Sequence, residues 1–175
     1  PFGEYAGKVL GYKRIAAIAM DYAFGWEMVG GFQKTFEDNG GQIVQKIWTP
    51  MNVTDYSPYL AQLRKDADAV FALHVGRLAL QFVKQFAEFG LKGKLPLLGG
   101  GVMTNEDGMP PMGDDALGII TSLPYSPALE TPANRHFKEA YERKTGRVAT
   151  YNAVFAYTSA RWIVEAAKAI GGAVE

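Results

Sequence analysis

Four stretches of this 175-residue sequence carry side chains able to do chemistry. The first, Asp21-Tyr22-Ala23-Phe24-Gly25-Trp26, gathers three aromatic rings beside a carboxylate. Rings so spaced can stack on a flat or apolar ligand with the Tyr22 hydroxyl as a polar handle, or can simply seal a surface. The second is His74, followed by Val75 and Gly76. With one other histidine and no cysteine in the chain, His74 lacks the three or four partners a metal site needs. It reads as a hydrogen-bonding or partly buried imidazole. The third, Gly99-Gly100-Gly101 before Val102, either lets backbone approach a partner closely or marks a loop with positive φ. The fourth is the acidic set Glu106, Asp107, Asp114 and Asp115, which lacks the oxygen-rich spacing of a calcium loop and reads as solvated loop charge.

Enzymatic signatures are thin. The stretch after the first apolar run is MDYAFGW, where a dinucleotide fold requires G-x-G-x-x-G, and neither G-x-x-x-x-G-K-[ST] nor G-x-S-x-G occurs. Asp21 could serve as a general base or phosphoacceptor, but no partnered carboxylate or lysine cluster stands at a suitable spacing. Catalysis is therefore disfavoured, and neither cofactor nor metal is expected.

Composition sets wider bounds. Eighteen basic and eighteen acidic residues cancel, leaving no electrostatic footprint for nucleic acid. No run approaches the roughly 20 apolar residues of a membrane span. Absence of cysteine removes disulfides and thiolate chemistry while remaining compatible with either a reducing or an exported setting. A chain beginning at Pro1 without a signal segment reads as a processed form or a piece of something longer.

The elements that must position these residues follow from periodicity. Residues 1–13 form a glycine-containing lead-in with no nameable chemistry. Ile15 to Met20 is a continuous apolar run suited to a strand buried on both faces. Val29, Phe32 and Phe36 then recur at helical spacing, and Asn39-Gly40-Gly41 supplies a left-handed stop. A second strand is expected over Gln42–Trp48. A short helix capped by Asp55 or Ser57 should run to about Lys65. A third strand over Asp68–Leu73, a helix over Arg77–Phe89, a fourth strand over Leu95–Leu98 and a fifth over Leu117–Ser122 complete the alternation. The pattern predicts an α/β fold with a Rossmann-like parallel sheet flanked by helices. In such sheets ligands settle where strands end, which places the Asp21–Gly25 turn first among candidate sites.

Residues 131–145 and 151–170 are helical in pattern, yet no strand follows them. Two amphipathic helices without a sheet of their own imply a second body whose remaining parts are not in this sequence. Leu123 to Leu129 (LPYSPAL) reads as the crossing between the two bodies.

The segments KRIAAIAMDYAFGWEMVGGFQKTFEDNGGQIV, TDYSPYLAQLRKDADAVFAL, QFAEFGLKGKLPLLGGG and NRHFKEAYERKTGRVATYNAVFAYTSARWIVEAAKAIGG, in that order, resemble the type I periplasmic solute-binding proteins of ABC importers. The likeness is greatest to the branched-chain amino acid and amide or aromatic-acid group, and it covers Lys13 to Gly172. It implies a two-lobed clamp in which residues 1–122 form the second ligand-binding lobe. Residues 123–129 would be an interlobe crossing, and 130–175 a helical return to the first lobe. It also implies an extracytoplasmic location, a small-molecule ligand (an amino acid, amide or aromatic or other organic acid) and a membrane permease as partner. The ligand-contacting positions implied are Tyr22, Phe24, His74, Val75, Gly101 and Val102, with Leu123, Pro124 and Tyr125 as hinge. Phe24 stands where amino-acid binders of the family usually have Tyr. Gly101 stands where they have the acid that holds a ligand ammonium, a departure that weakens an amino-acid assignment.

Two rival readings stay open on sequence alone. One is a ligand-sensing domain of a receptor or regulator, and the other a small α/β enzyme built on Asp21, His74 and the glycine turn. The exposed helical faces also predict self-association or altered packing of the isolated chain.

Overall fold

The apolar run at Ile15 becomes the centre of a five-stranded sheet in the computed structural model, which describes residues 1–106 and 108–172. The strands are β1 (Arg14–Met20), β2 (Gln42–Thr49), β3 (Ala69–Leu73), β4 (Leu97–Gly100) and β5 (Ile120–Ser122). They pair in parallel in the order β2-β1-β3-β4-β5. The helices are α1 (Phe2–Lys8), α2 (Ala23–Glu37), α3 (Ser57–Leu60), α4 (Gly76–Glu88), α5 (Pro132–Thr145) and α6 (Tyr151–Ala169).

Side chains alternate across β1, so one strand feeds two cores. Ile15, Ala17 and Ala19 meet Val29, Phe32 and Phe36 of α2 on one face, and Phe32 stacks on Phe71 at 4.1 Å. Ala16, Ile18 and Met20 meet Leu78, Phe82, Val83 and Phe86 of α4, with Leu60 of α3, on the other. The small alanines at the middle of β1 let both helices approach the sheet closely. Asp68 pins the start of β1, its Oδ2 accepting from the backbone N–H groups of Lys13 (2.7 Å) and Arg14 (2.8 Å).

Several expectations need correction. The lead-in is not featureless: Phe2–Lys8 is helical, and Phe2 meets Phe32 edge-on at 5.8 Å. A methyl group on Gly3 would run into the Phe32 carbonyl, so α1 crosses α2 at a separation only glycine allows. The helix expected to reach Lys65 ends at Leu60. Its start carries no side-chain cap; Asp55 instead accepts from Ser57 N at 2.9 Å. β4 begins two residues later than expected and takes in Gly99 and Gly100. β5 is shortened to three residues because Gly118 adopts φ +87, outside strand geometry. Of the acidic set, Asp114 and Asp115 fall in a 3₁₀ segment, Pro110–Ala116, while Asp107 lies outside the described residues.

The chain divides between Leu123 and Pro124 into two compact units. In the first, Leu123 covers Gly101. In the second, Tyr125 is buried and its hydroxyl donates to Asn134 Oδ1 at 2.9 Å. Asn134 Nδ2 donates to Leu129 O at 2.7 Å and Lys138 Nζ to Pro127 O at 2.8 Å, so the segment after the division is strapped to α5. Phe137 of α5 meets Tyr157 of α6 at 5.0 Å. No residue of α6 is buried, and Trp162 and Ile163 are 73% and 71% exposed.

Candidate functional site

The strand order marks the sheet edge at which open α/β folds bind ligands. With β2 on one side of β1 and β3 on the other, α2 covers one face of the sheet and α3 and α4 the other. The connections therefore diverge from the carboxyl ends of β1 and β3, the topological switch point of an open α/β sheet. The turns that leave those two ends are Asp21–Tyr22 and His74–Val75.

At the end of β1 the backbone turns at once into α2. A methyl on Gly25 would collide with the Met20 carbonyl, so glycine is what allows so tight a strand-to-helix turn. Tyr22 and Phe24 emerge as an edge-to-face pair with centroids 6.2 Å apart. Both are half-buried, Tyr22 packed against the α4 side of the core and Phe24 against the α2 side. Burial raises the Tyr22 hydroxyl above its ordinary range and keeps it a neutral donor. Val75 and Val102 are likewise half-buried, one on each core. The Tyr22–Phe24 pair thus presents two half-buried rings and one hydroxyl at the end of β1, a surface suited to a ring or alkyl group. Asp21 is exposed, and its Oδ1 accepts from the Trp26 indole N–H at 2.9 Å. Neither α2 nor α4 has a side-chain cap or a first-turn acid, so the positive ends of two helix dipoles also face this edge.

His74 is 0% exposed. It stacks on Phe82 at 4.4 Å, takes the edge of Tyr56 at 5.0 Å, and places Nε2 3.2 Å from Thr49 Oγ1. Desolvation lowers its pKa to about 3, so the ring is neutral across the physiological range. No hydrogen bond joins it to Asp21 among the described residues, so the two side chains do not form the paired acid and base an enzyme site would need. The glycine triplet has a packing cause. A Cβ on Gly99 would lie 2.6 Å from Met103 Sδ, one on Gly100 2.7 Å from Leu73 Cδ1, and one on Gly101 inside the Leu123 side chain. Gly101 is therefore buried under leucine rather than opened toward a partner. Sequence reasoning also passed over Thr49, whose hydroxyl sits at the end of β2 and gives no signal except its place after an apolar strand.

The sequence profile of the family described as periplasmic binding protein matches residues 1–175. The chain belongs to that family. Among curated relatives, a Leu/Ile/Val-binding protein homolog of Brucella melitensis is 32% identical over 93% of this chain and 43% of its own length. An ABC transporter substrate-binding protein from Sphaerobacter thermophilus is 37% identical. It superposes with a TM-score of 0.95 over 100% of this chain and 48% of its own. A solute-binding protein of an ABC transporter from Rhodopseudomonas palustris, solved with 3,4-dihydroxybenzoic acid, is 33% identical. Its TM-score is 0.85, over 99% of this chain and 48% of its own. This periplasmic binding protein chain thus spans about half the length of the relatives it matches. Its parallel sheet with flanking helices is that of a type I lobe, and its solved relatives are substrate-binding proteins rather than enzymes.

Proposed function

We propose that this chain supplies one ligand-binding lobe, residues 1–123, and the returning helices of the other lobe in the extracytoplasmic solute-binding component of an ABC importer. The protein captures its solute between lobes, closes by a hinge at Leu123, Pro124 and Tyr125, and delivers the solute to a membrane permease without chemical change. The ligand is an aromatic or other organic acid. One observation carries that choice: the half-buried Tyr22–Phe24 pair offers a ring a surface at the strand ends, while the Gly101 position, filled from Leu123, presents no anion to an ammonium. Val75 and Val102 extend the apolar contact. The dihydroxybenzoate-bound relative supports the same class.

A second reading, an amino-acid ligand, is favoured by Glu106. Its Oε2 is buried without a hydrogen-bond partner, as a counter-anion awaiting an ammonium would be. The Brucella relative's description points the same way.

Thermal-shift titration of the complete parent protein, with this chain in parallel, separates the two. At a hundred times its dissociation constant a true ligand stabilises the native state by about 2.7 kcal/mol. Benzoate or 4-hydroxybenzoate should shift the parent, leucine should not, and the shorter chain should respond weakly to both. A shift with leucine alone transfers the assignment to amino acids. Tight stoichiometric binding by the shorter chain overturns the two-lobe reading.

A further inference from the structure

Asp21 begins the turn that presents Tyr22 and Phe24, and its backbone N–H is not held by its own strand. It donates to Thr49 O at 2.8 Å, the bond that closes the β1–β2 ladder at its last register pair, Met20 with Thr49. Thr49 is in turn 0% exposed, and its hydroxyl has two neighbours: Ala19 O at 3.4 Å and His74 Nε2 at 3.2 Å. A hydroxyl has one proton. Given to Ala19 O, it leaves the Thr49 oxygen to accept from His74 Nε2–H, the tautomer in which the unpartnered Nδ1 is a bare lone pair and not a buried N–H. Three adjacent strand ends, β2, β1 and β3, are thereby joined through one threonine and one histidine at the last rung of the β1–β2 ladder.

The histidine is held as firmly as it holds. Phe82 lies parallel to the ring at 15° and Tyr56 stands across it at 89°. Tyr56 is tied to α4 through Gln85 Oε1, which accepts from Tyr56 N at 2.6 Å, while Gln85 Nε2 donates to Thr54 O at 2.9 Å. Thr54 and Tyr56 belong to the segment that follows Thr49, so loop, helix and strand end close on the same imidazole.

We propose that His74, acting through Thr49, is a positioning residue that pre-organises the Asp21–Phe24 turn for ligand. It touches no ligand itself. The proposal rests on the reading of that turn as a ligand contact, and it assigns His74 and Thr49 a role in affinity through the order of the free lobe. Burial keeps the ring in the neutral form that the arrangement requires.

Three variants test it: Thr49→Val, which keeps shape and removes the hydroxyl; His74→Leu, which removes the donor; and His74→Gln, whose amide N–H can stand near Nε2. The first readout is amide hydrogen exchange in the present chain, with Ala17 and Ile18 in mid-strand as internal controls. Thr49→Val and His74→Leu should speed exchange at Asp21 roughly tenfold relative to those controls, and His74→Gln should restore protection to within about threefold of the native chain. The Trp26 indole N–H resonance, which reports its bond to Asp21, should move with the first two and return with the third. Unchanged exchange at Asp21 in Thr49→Val and His74→Leu overturns the proposal. So does equal loss of protection at Asp21, Ala17 and Ile18 in all three variants, which marks a purely structural histidine.

The second readout is benzoate affinity in the complete parent protein. Thr49→Val and His74→Leu should weaken it about tenfold and His74→Gln little, in proportion to the lost order. Unaltered benzoate affinity in His74→Leu overturns the affinity role. If the parent binds leucine and not benzoate while Asp21 exchange responds as expected, the aromatic-acid reading fails and the positioning role stands.

Discussion

A neutral imidazole sealed in the core makes His74 a source of acid sensitivity. Its ordinary pKa is 6.5 and burial lowers it to about 3 in the native state. Between those values the unfolded chain binds a proton that the native chain refuses. The stabilisation is complete above pH 6.5 and is lost as pH falls toward 3, at up to about 1.4 kcal/mol per unit. The unfolding free energy from urea titrations should therefore fall between pH 7 and pH 5 by about 2 kcal/mol more in the native protein than in His74→Gln. Parallel curves would locate the acid sensitivity elsewhere. Two glycines of α2 give an opposed pair at the same scale. Gly25→Ala drives a methyl into the Met20 carbonyl and should destabilise by about 1–3 kcal/mol, with the Asp21 turn disturbed. Gly30→Ala meets nothing within 4 Å on an exposed helical face and should stabilise by about 0.5–1 kcal/mol. The same denaturation series reads both.

Helices set the next scale, and they differ in how their apolar faces are used. α2 and α4 bury theirs on the two sides of one sheet, with Phe36 and Phe82 wholly enclosed. α6 has the length and apolar content of a core helix and buries no residue. Phe155, Trp162, Ile163 and Val164 are all exposed. An apolar stripe of that size in water favours association. Sedimentation of this chain should show concentration-dependent self-association and an environment-sensitive apolar dye should bind it. The double variant Trp162→Lys with Ile163→Lys should reduce both. A monomeric chain that leaves the dye dark would mean that α6 is covered by some other means.

On the scale of the whole molecule, the division between Leu123 and Pro124 separates a sheet-centred unit from a pair of helices with little core. The units should respond differently to protease. Residues 126–131 are mostly exposed and contain no regular element, so limited proteolysis should cut there first and leave a resistant fragment ending near Leu123. Initial cleavage within β1 to β4 would contradict that order of stability. Under the proposed two-lobe reading the same division bears on function, because one lobe would offer a ligand half a binding surface. On that reading, affinity would depend on how well each half is organised before they meet.

The sequence alone determined the parallel α/β lobe, the sites of its strands to within a few residues, the tight turn after Met20 and the pair of helices with no strand beyond Leu129. Each of these rests on a short-range signal: a buried apolar run, a 3.6-residue repeat, a glycine stop. Only tertiary structure decided which residues of the site stand where. His74 became a core group because Phe82 and Tyr56 close over it. The glycine triplet became a packing feature because Met103, Leu73 and Leu123 occupy the space side chains would take. Thr49 found its side-chain hydrogen-bond partners 25 and 30 residues away in the chain. Local periodicity records which side of an element is buried. It holds no information about which distant side chain completes a hydrogen bond or fills the place of a missing Cβ, and those pairings are set only when the strands are laid side by side.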